Sequence, residues 1–254
     1  MKGFIGAILF FTAVTSARAG TPVRGTGRIV GGFEISQKLV PYQVSLQYVD
    51  YHICGGTYGL PAAYFSVRVG SGLLESGGEV MKVSKIIQHE QFNRMTYDFD
   101  FSILFLARKI VLDGTTKAAI ALPAANTLIA DNTPILVSGW GYTLKASESR
   151  DKLRAVVVTT NNQKECDQVY WYDGGISGQM FCAGDPGKDS CNIISIDLYF
   201  LSISSPPGGP ARNLNTGTLD GIVSFGMACA DDIFPGVYSR VASVRPWILK
   251  NAGV

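Results

Sequence analysis

Short runs of alternating apolar and polar residues, cut at close intervals by turn formers, set the tightest limit on how this chain can fold. Tyr42–Val49 alternates with period two, and Ser66–Val69 does the same. Asp100–Leu106, Pro134–Val137, Leu153–Thr159 and Gly221–Phe225 are further apolar, β-branched or aromatic runs between clusters of Gly, Pro, Asn and Asp. Glycine, at 29 of 254 residues, follows no fixed period, so it marks turns rather than a collagen-type repeat. Helical spacing is found only at Val244–Lys250, with Pro246 near a first turn and Gly253 beyond the end, which predicts a C-terminal helix over 244–252. The expectation is an all-β, antiparallel sandwich or pair of barrels.

A length of 254 residues lies between one and two domains at the usual ~150 residues each. Charged residues make up 17% and hydrophobic ones 46%, which excludes a disordered chain. A net charge of +2 is too close to balance to recommend a polyanion, so no nucleic acid is expected as a partner. Met1–Ala19 carries Lys2, an apolar run Phe4–Val14 and the small residues Ala17 and Ala19 around Arg18. That is the pattern of a secretory signal cut before Gly20. Its apolar stretch is too short to span ~30 Å of hydrocarbon, so no membrane anchor is expected and the chain is placed outside the cell. Such a compartment permits disulfides, and five cysteines leave one thiol without an internal partner. Residues 20–28 are polar and bear Gly and Pro, as a flexible segment does.

Several strings then converge. Arg28-Ile29-Val30-Gly31-Gly32 follows the flexible segment, and Tyr42-Gln43-Val44-Ser45-Leu46 precedes His52-Ile53-Cys54-Gly55-Gly56. Asp100-Phe101-Ser102-Ile103-Leu104, Ser138-Gly139-Trp140-Gly141 and Met180-Phe181-Cys182-Ala183-Gly184 come next. Gly187-Lys188-Asp189-Ser190-Cys191, Gly221–Gly226, Pro235–Val241 and Arg245-Pro246-Trp247-Ile248 complete the series. In this order and spacing they resemble the trypsin-like serine endopeptidases, most closely digestive trypsins of the insect kind, from Arg28 to the C-terminus.

The resemblance implies two antiparallel six-stranded barrels, roughly 29–137 and 138–243, with the active site between them. It implies a zymogen whose activation peptide, residues 20–28, ends at a cut between Arg28 and Ile29. Asp189 matches the acid at the base of the specificity slot, where a carboxylate selects Arg or Lys side chains by charge pairing. Gly226 and Gly236 match the small residues that keep the slot open, and Ser224 lies beside them. Cys166 with Cys182 and Cys191 with Cys229 match family disulfides. Asp100 matches the triad aspartate, whose role is to accept a hydrogen bond from an imidazole.

The departures weigh more than the matches. The mechanism needs a hydroxyl, an imidazole to take its proton, and backbone N–H donors for the oxyanion. The chain has two histidines. His52 falls where the family carries a structural histidine, and His89 falls in a loop, so neither matches the general base. The family places that base in a Thr-Ala-Ala-His-Cys string between Cys54 and Val67. Here the stretch holds only Gly55–Ser66, in which Pro61-Ala62-Ala63-Tyr64-Phe65 could be a decayed copy, or from which a strand and loop have been excised. Either way the cysteine that would pair with Cys54 is gone too.

The nucleophile region fails separately. After Cys191 the family expects one residue and then Gly-Asp-Ser-Gly-Gly-Pro. This chain has Asn192, the run Ile193–Pro207, and only then Gly208-Gly209-Pro210. Pro207 stands in the nucleophile's place, with neither a hydroxyl nor an N–H to offer. Asp197 is a poor substitute for the missing acid that would receive the Ile29 ammonium, and Ser195, Ser204 and Ser205 have no base. The Phe, Leu, Ser and Pro of Leu198–Pro207 are residues that pyrimidine-rich codons encode, so the two defects read as a skipped segment and a retained intron.

The resulting expectation is a secreted, monomeric trypsin-like endopeptidase by family, acting after Arg or Lys of protein or peptide substrates and open to a protein inhibitor. It needs no cofactor or metal, and it is inactive with the residues it has. A non-catalytic homologue that binds or regulates is the alternative.

Overall fold

The computed structural model describes residues 4–10, 28–53, 60–141, 143, 145, 147–191, 209–227 and 233–254. Among these the strands run in order β1 (Phe4–Phe10), β2 (Arg28–Val30), β3 (Phe33–Glu34), β4 (Val44–Tyr48), β5 (Tyr51–His52), β6 (Phe65–Val69), β7 (Glu79–Gln88) and β8 (Ser102–Val111). The second part of the chain gives β9 (Pro134–Gly139), β10 (Arg154–Thr159), β11 (Met180–Ala183), β12 (Asp189–Cys191), β13 (Pro210–Asn213), β14 (Leu219–Phe225) and β15 (Gly236–Arg240). Helix α1 (Gln163–Val169) precedes β11, and α2 (Arg245–Ala252) ends the chain.

Two antiparallel sheets result. The first has the order β1-β8-β7-β6-β4-β5, the second β11-β15-β14-β13-β9-β10-β3, and β12 with β2 makes a separate ribbon. The all-β class, the antiparallel pairing and the C-terminal helix agree with the sequence. The alternation did its work through burial. In β6, Phe65, Val67 and Val69 are buried and meet Leu46, Met81, Leu104 and Ile110 in the core of the first sheet. Ile135, Val137, Val156, Val158, Val223 and Tyr238 build the core of the second. Gly221 lies where β14 passes the Phe181 ring, and a Cβ there would stand 2.3 Å from its Cε1.

Four local expectations are corrected. The run Tyr42–Val49 stops as a strand at Tyr48, because Val49 (φ 48°) and Asp50 (φ 67°) form the two-residue turn that pairs Tyr48 with Tyr51. Positive φ at both turn positions matches the twist of the flanking strands, and the hairpin pairing of Tyr48 with Tyr51 imposes it on a β-branched residue that disfavours it. Asp100 lies two residues ahead of β8 rather than on a strand. Tyr97 (φ 56°) and Phe99 (φ 52°) turn the chain there, and the Phe101 N–H bonds the Phe99 carbonyl at 2.8 Å, which holds Asp100 out of the ladder. Helix α1 was not expected, although Asn162 caps it by accepting from the N–H groups of Lys164 and Glu165. Strand β7 also lies in a stretch that the alternation did not single out.

The halves meet through a third core in which Phe101 and Ile103 pack on Leu219, Ile222, Val241, Val244, Trp247 and Ile248. Polar ties cross the same seam. Ser138 Oγ donates to Gln43 Oε1 at 2.7 Å, and Trp247 Nε1 donates to Glu90 Oε2 at 2.7 Å. No helix among the described residues is long and apolar enough to cross a membrane.

Candidate active site between the two sheets

Asp100 sits in that seam with 1% of its surface exposed. Ser224 Oγ, from β14 of the second sheet, donates to Asp100 Oδ2 at 2.8 Å across 124 residues of sequence. Asp100 Oδ1 is buried and has no hydrogen-bond partner among the described residues. Burial pushes the carboxyl well above the usual carboxylate range, and the Ser224 hydroxyl opposes this only in part. A charged acid with one oxygen unpaired is costly here, so the environment favours the protonated form.

Neither imidazole bonds Asp100. His52 Nδ1 meets Ser45 Oγ at 2.8 Å, with the ring 6.0 Å from that of Trp140. Burial lowers its pKa to about 4, so the ring is neutral at pH 7. His89 stacks on Phe99 at 4.6 Å between centroids and leans on Trp247 at 4.8 Å. Its Nδ1 accepts the Gln91 N–H at 3.2 Å, which leaves the ring proton on Nε2. Burial lowers its pKa too, against the pull of Glu90 and Asp98. Both are structural rings, as the sequence had it for His52; His89 follows β7 in a loop, but a buried one.

The expected slot residues lie close together in part. Gly226 and Gly236 face each other, since a Cβ on Gly226 would stand 3.9 Å from the Gly236 Cα. Ser224, expected with them as a substrate-binding residue of the slot, is the residue that bonds Asp100, a role no local pattern signals. Beside this segment an aromatic cluster that sequence reasoning missed joins Phe225 to Tyr97 at 5.2 Å and to Tyr170 at 5.6 Å. Tyr170 Oη in turn donates to the Pro235 carbonyl at 2.8 Å. Asp189 is described through its backbone, in β12, where it pairs with Val30, while Ser190 pairs with Ile29 and Cys191 with Arg28. The bond expected to be cut on activation thus lies in a ribbon with the strand that carries Asp189. Ile29 is buried in the core of the second sheet.

Cys166 and Cys182 form a disulfide that ties α1 to β11. Cys229 lies outside the described residues, as do Cys54, Asp197, Ser195, Ser204, Ser205 and Pro207. Of the stretch before Val67, residues 62–64 form one turn of 3-10 helix; Tyr64 is exposed, and Phe65 is buried in the first sheet.

The family model described as Trypsin matches residues 29–193 and 205–248, passing over 194–204 inside the run that the sequence reads as inserted. Trypsin 5G1 of Aedes aegypti is 40% identical over 248 residues, spanning 91% of this chain and 88% of its own. The vitellin-degrading protease of Bombyx mori is 32% identical over 263 residues, at 96% and 94% coverage. A trypsin of Phaedon cochleariae is 34% identical over 239 residues, at 87% and 86%. On that match and these identities, the chain belongs to the trypsin family of serine proteases.

Proposed function

We propose that this chain is by descent a secreted, monomeric endopeptidase of Arg/Lys specificity, and that with the residues it has it binds but does not turn over. Met1–Ala19 directs export, and the cut between Arg28 and Ile29 converts the zymogen. Asp189, with Gly226, Gly236 and Ser224, takes the cationic side chain of a protein or peptide substrate, or of a protein inhibitor. Asp100 stands as the triad aspartate without its imidazole.

One observation carries the reading: the Asp100 carboxyl keeps a bond to Ser224 while its other oxygen has no described partner and both histidines of the chain are committed elsewhere. An intact triad would present an imidazole to that oxygen. Loss of base and nucleophile from a comparable hydrolase lowers turnover by about six orders of magnitude.

The test uses secreted protein cleaved at Arg28, an arginine ester substrate and benzamidine as a cationic probe. Benzamidine is expected to bind while the ester is hydrolysed no faster than in buffer. Hydrolysis stopped by a serine-directed acylating inhibitor would overturn the inactive reading; failure of benzamidine to bind would overturn the slot. Sequencing the transcript across Cys54–Val67 and Cys191–Gly208 decides whether a spliced product restores the missing residues.

A further inference from the structure

The segment that follows the expected activation cut is seated in the uncut chain. Ile29 and Val30 are 5% and 8% exposed, and Ile29 packs with Ile135, Val137, Val156 and Val158 in the core of the second sheet. The two residues pair antiparallel with Ser190 and Asp189. Gly31 follows with φ 67°, and a Cβ on it would run into the Gly187 carbonyl oxygen; a Cβ on Gly32 would run into that of Ala155 in β10. Only glycine lets two backbones approach so closely. Residues 29–32 are therefore wedged between β10 and the arm 187–189 that leads to Asp189. That arm is fastened from its other side as well. The Gly184 N–H bonds the Thr159 carbonyl at 3.0 Å, and the Lys188 N–H bonds the Asp185 carbonyl at 2.9 Å. Asp185 Oδ1 accepts the Thr159 N–H at 3.3 Å and the Thr159 hydroxyl at 2.5 Å. Strand β12 also lies against β15, which opens with the slot residue Gly236. All of these ties are made with Arg28 and Ile29 still joined.

We propose that the cation slot is built in the uncut chain, and that the seating of residues 29–32, not the cut before them, governs it. The chain is then a single-chain binder of guanidinium and amidinium groups, and conversion alters the chain end at Ile29 without altering the slot. This rests on the reading of Asp189, Gly226, Gly236 and Ser224 as that slot. Cutting takes away the pairing of Arg28 with Cys191. It leaves the pairs of Ile29 and Val30, the approach of Gly31 to Gly187 and the Thr159–Asp185 bonds, all of which lie beyond the cut.

Calorimetric titration with benzamidine tests this on two forms of the secreted protein: Arg28→Gln, which stays uncut, and the chain cut after Arg28. The two affinities are expected to agree within about twofold. Binding at least about tenfold tighter in the cut form would overturn the proposal and leave the slot standing. Absence of binding in both forms, or binding that survives Asp189→Asn, would overturn the slot reading and the proposal with it. A second variant probes the wedge. Gly31→Ala in the uncut form is expected to weaken benzamidine binding at least about tenfold while amide exchange at Ile222 and Val223 stays as it was. Gly114→Ala, at φ 72° with open space around it, carries similar backbone strain and should leave binding unchanged. If Gly31→Ala binds as tightly as its parent, or Gly114→Ala loses as much, the seating of residues 29–32 does not govern the slot and the proposal falls.

Discussion

The two sheets are completed in different ways. The second draws every strand from the span that matches the trypsin family, is tied by Cys166–Cys182, and ends in short edges. The first has the ten-residue strand Ser102–Val111 near one end, paired with Phe4–Phe10 from outside that span. The contrast teaches that the second sheet closes on strands of the matched span alone, whereas the first takes an edge strand from outside it.

The largest way to sharpen the contrast is the disulfide. Cys166→Ala with Cys182→Ala releases a loop of sequence separation 16, and denaturant unfolding should show about 3 kcal/mol lost. An equal loss of protection in the first sheet would show that the halves unfold as one.

The next effect comes from His52. Its folded pKa of about 4 lies below the ordinary 6.5, so between these values the unfolded chain takes up the proton and the folded one resists. Stability from this ring is full above pH 6.5 and is lost as the pH falls through about 4, about 3 kcal/mol in all. His52→Gln should flatten the acid limb of a stability–pH curve, and a curve unchanged by it would put the acid sensitivity elsewhere.

Asp100 works in the opposite sense. Its folded pKa is raised, so the stability of its neutral form is full below the ordinary 3.8 and is lost as the pH rises through the higher folded value. Asp100→Asn keeps an acceptor for Ser224 and removes the cost of burying an ionisable carboxyl. At pH 7 it should stabilise by about 1–3 kcal/mol, the size of a buried polar group's desolvation. Destabilisation instead would mean that a cation meets the carboxylate.

The smallest is Val49→Asn in the turn between β4 and β5. Asparagine tolerates the left-handed backbone that Val49 adopts, and a gain of about 1 kcal/mol in the first half is expected. No gain would place the strain elsewhere.

What the sequence determined by itself follows from short-range physics. The period-two run Ser66–Val69 and the apolar, β-branched run Leu153–Thr159 mark strands, Pro246 and Gly253 bound a helix, and ordered strings from Arg28 to Ile248 identify the family. The cap at Asn162 was legible too, through Glu165 three residues on, though the helix it starts went unread. Tertiary structure alone decided the rest. The Ser224–Asp100 bond spans 124 residues, and Phe4–Phe10 pairs with a strand far along the chain, Ser102–Val111. Local patterns fix which face of a segment is apolar; which surface meets it is set by the docking of sheets, whose energy is shared among residues far apart in the chain.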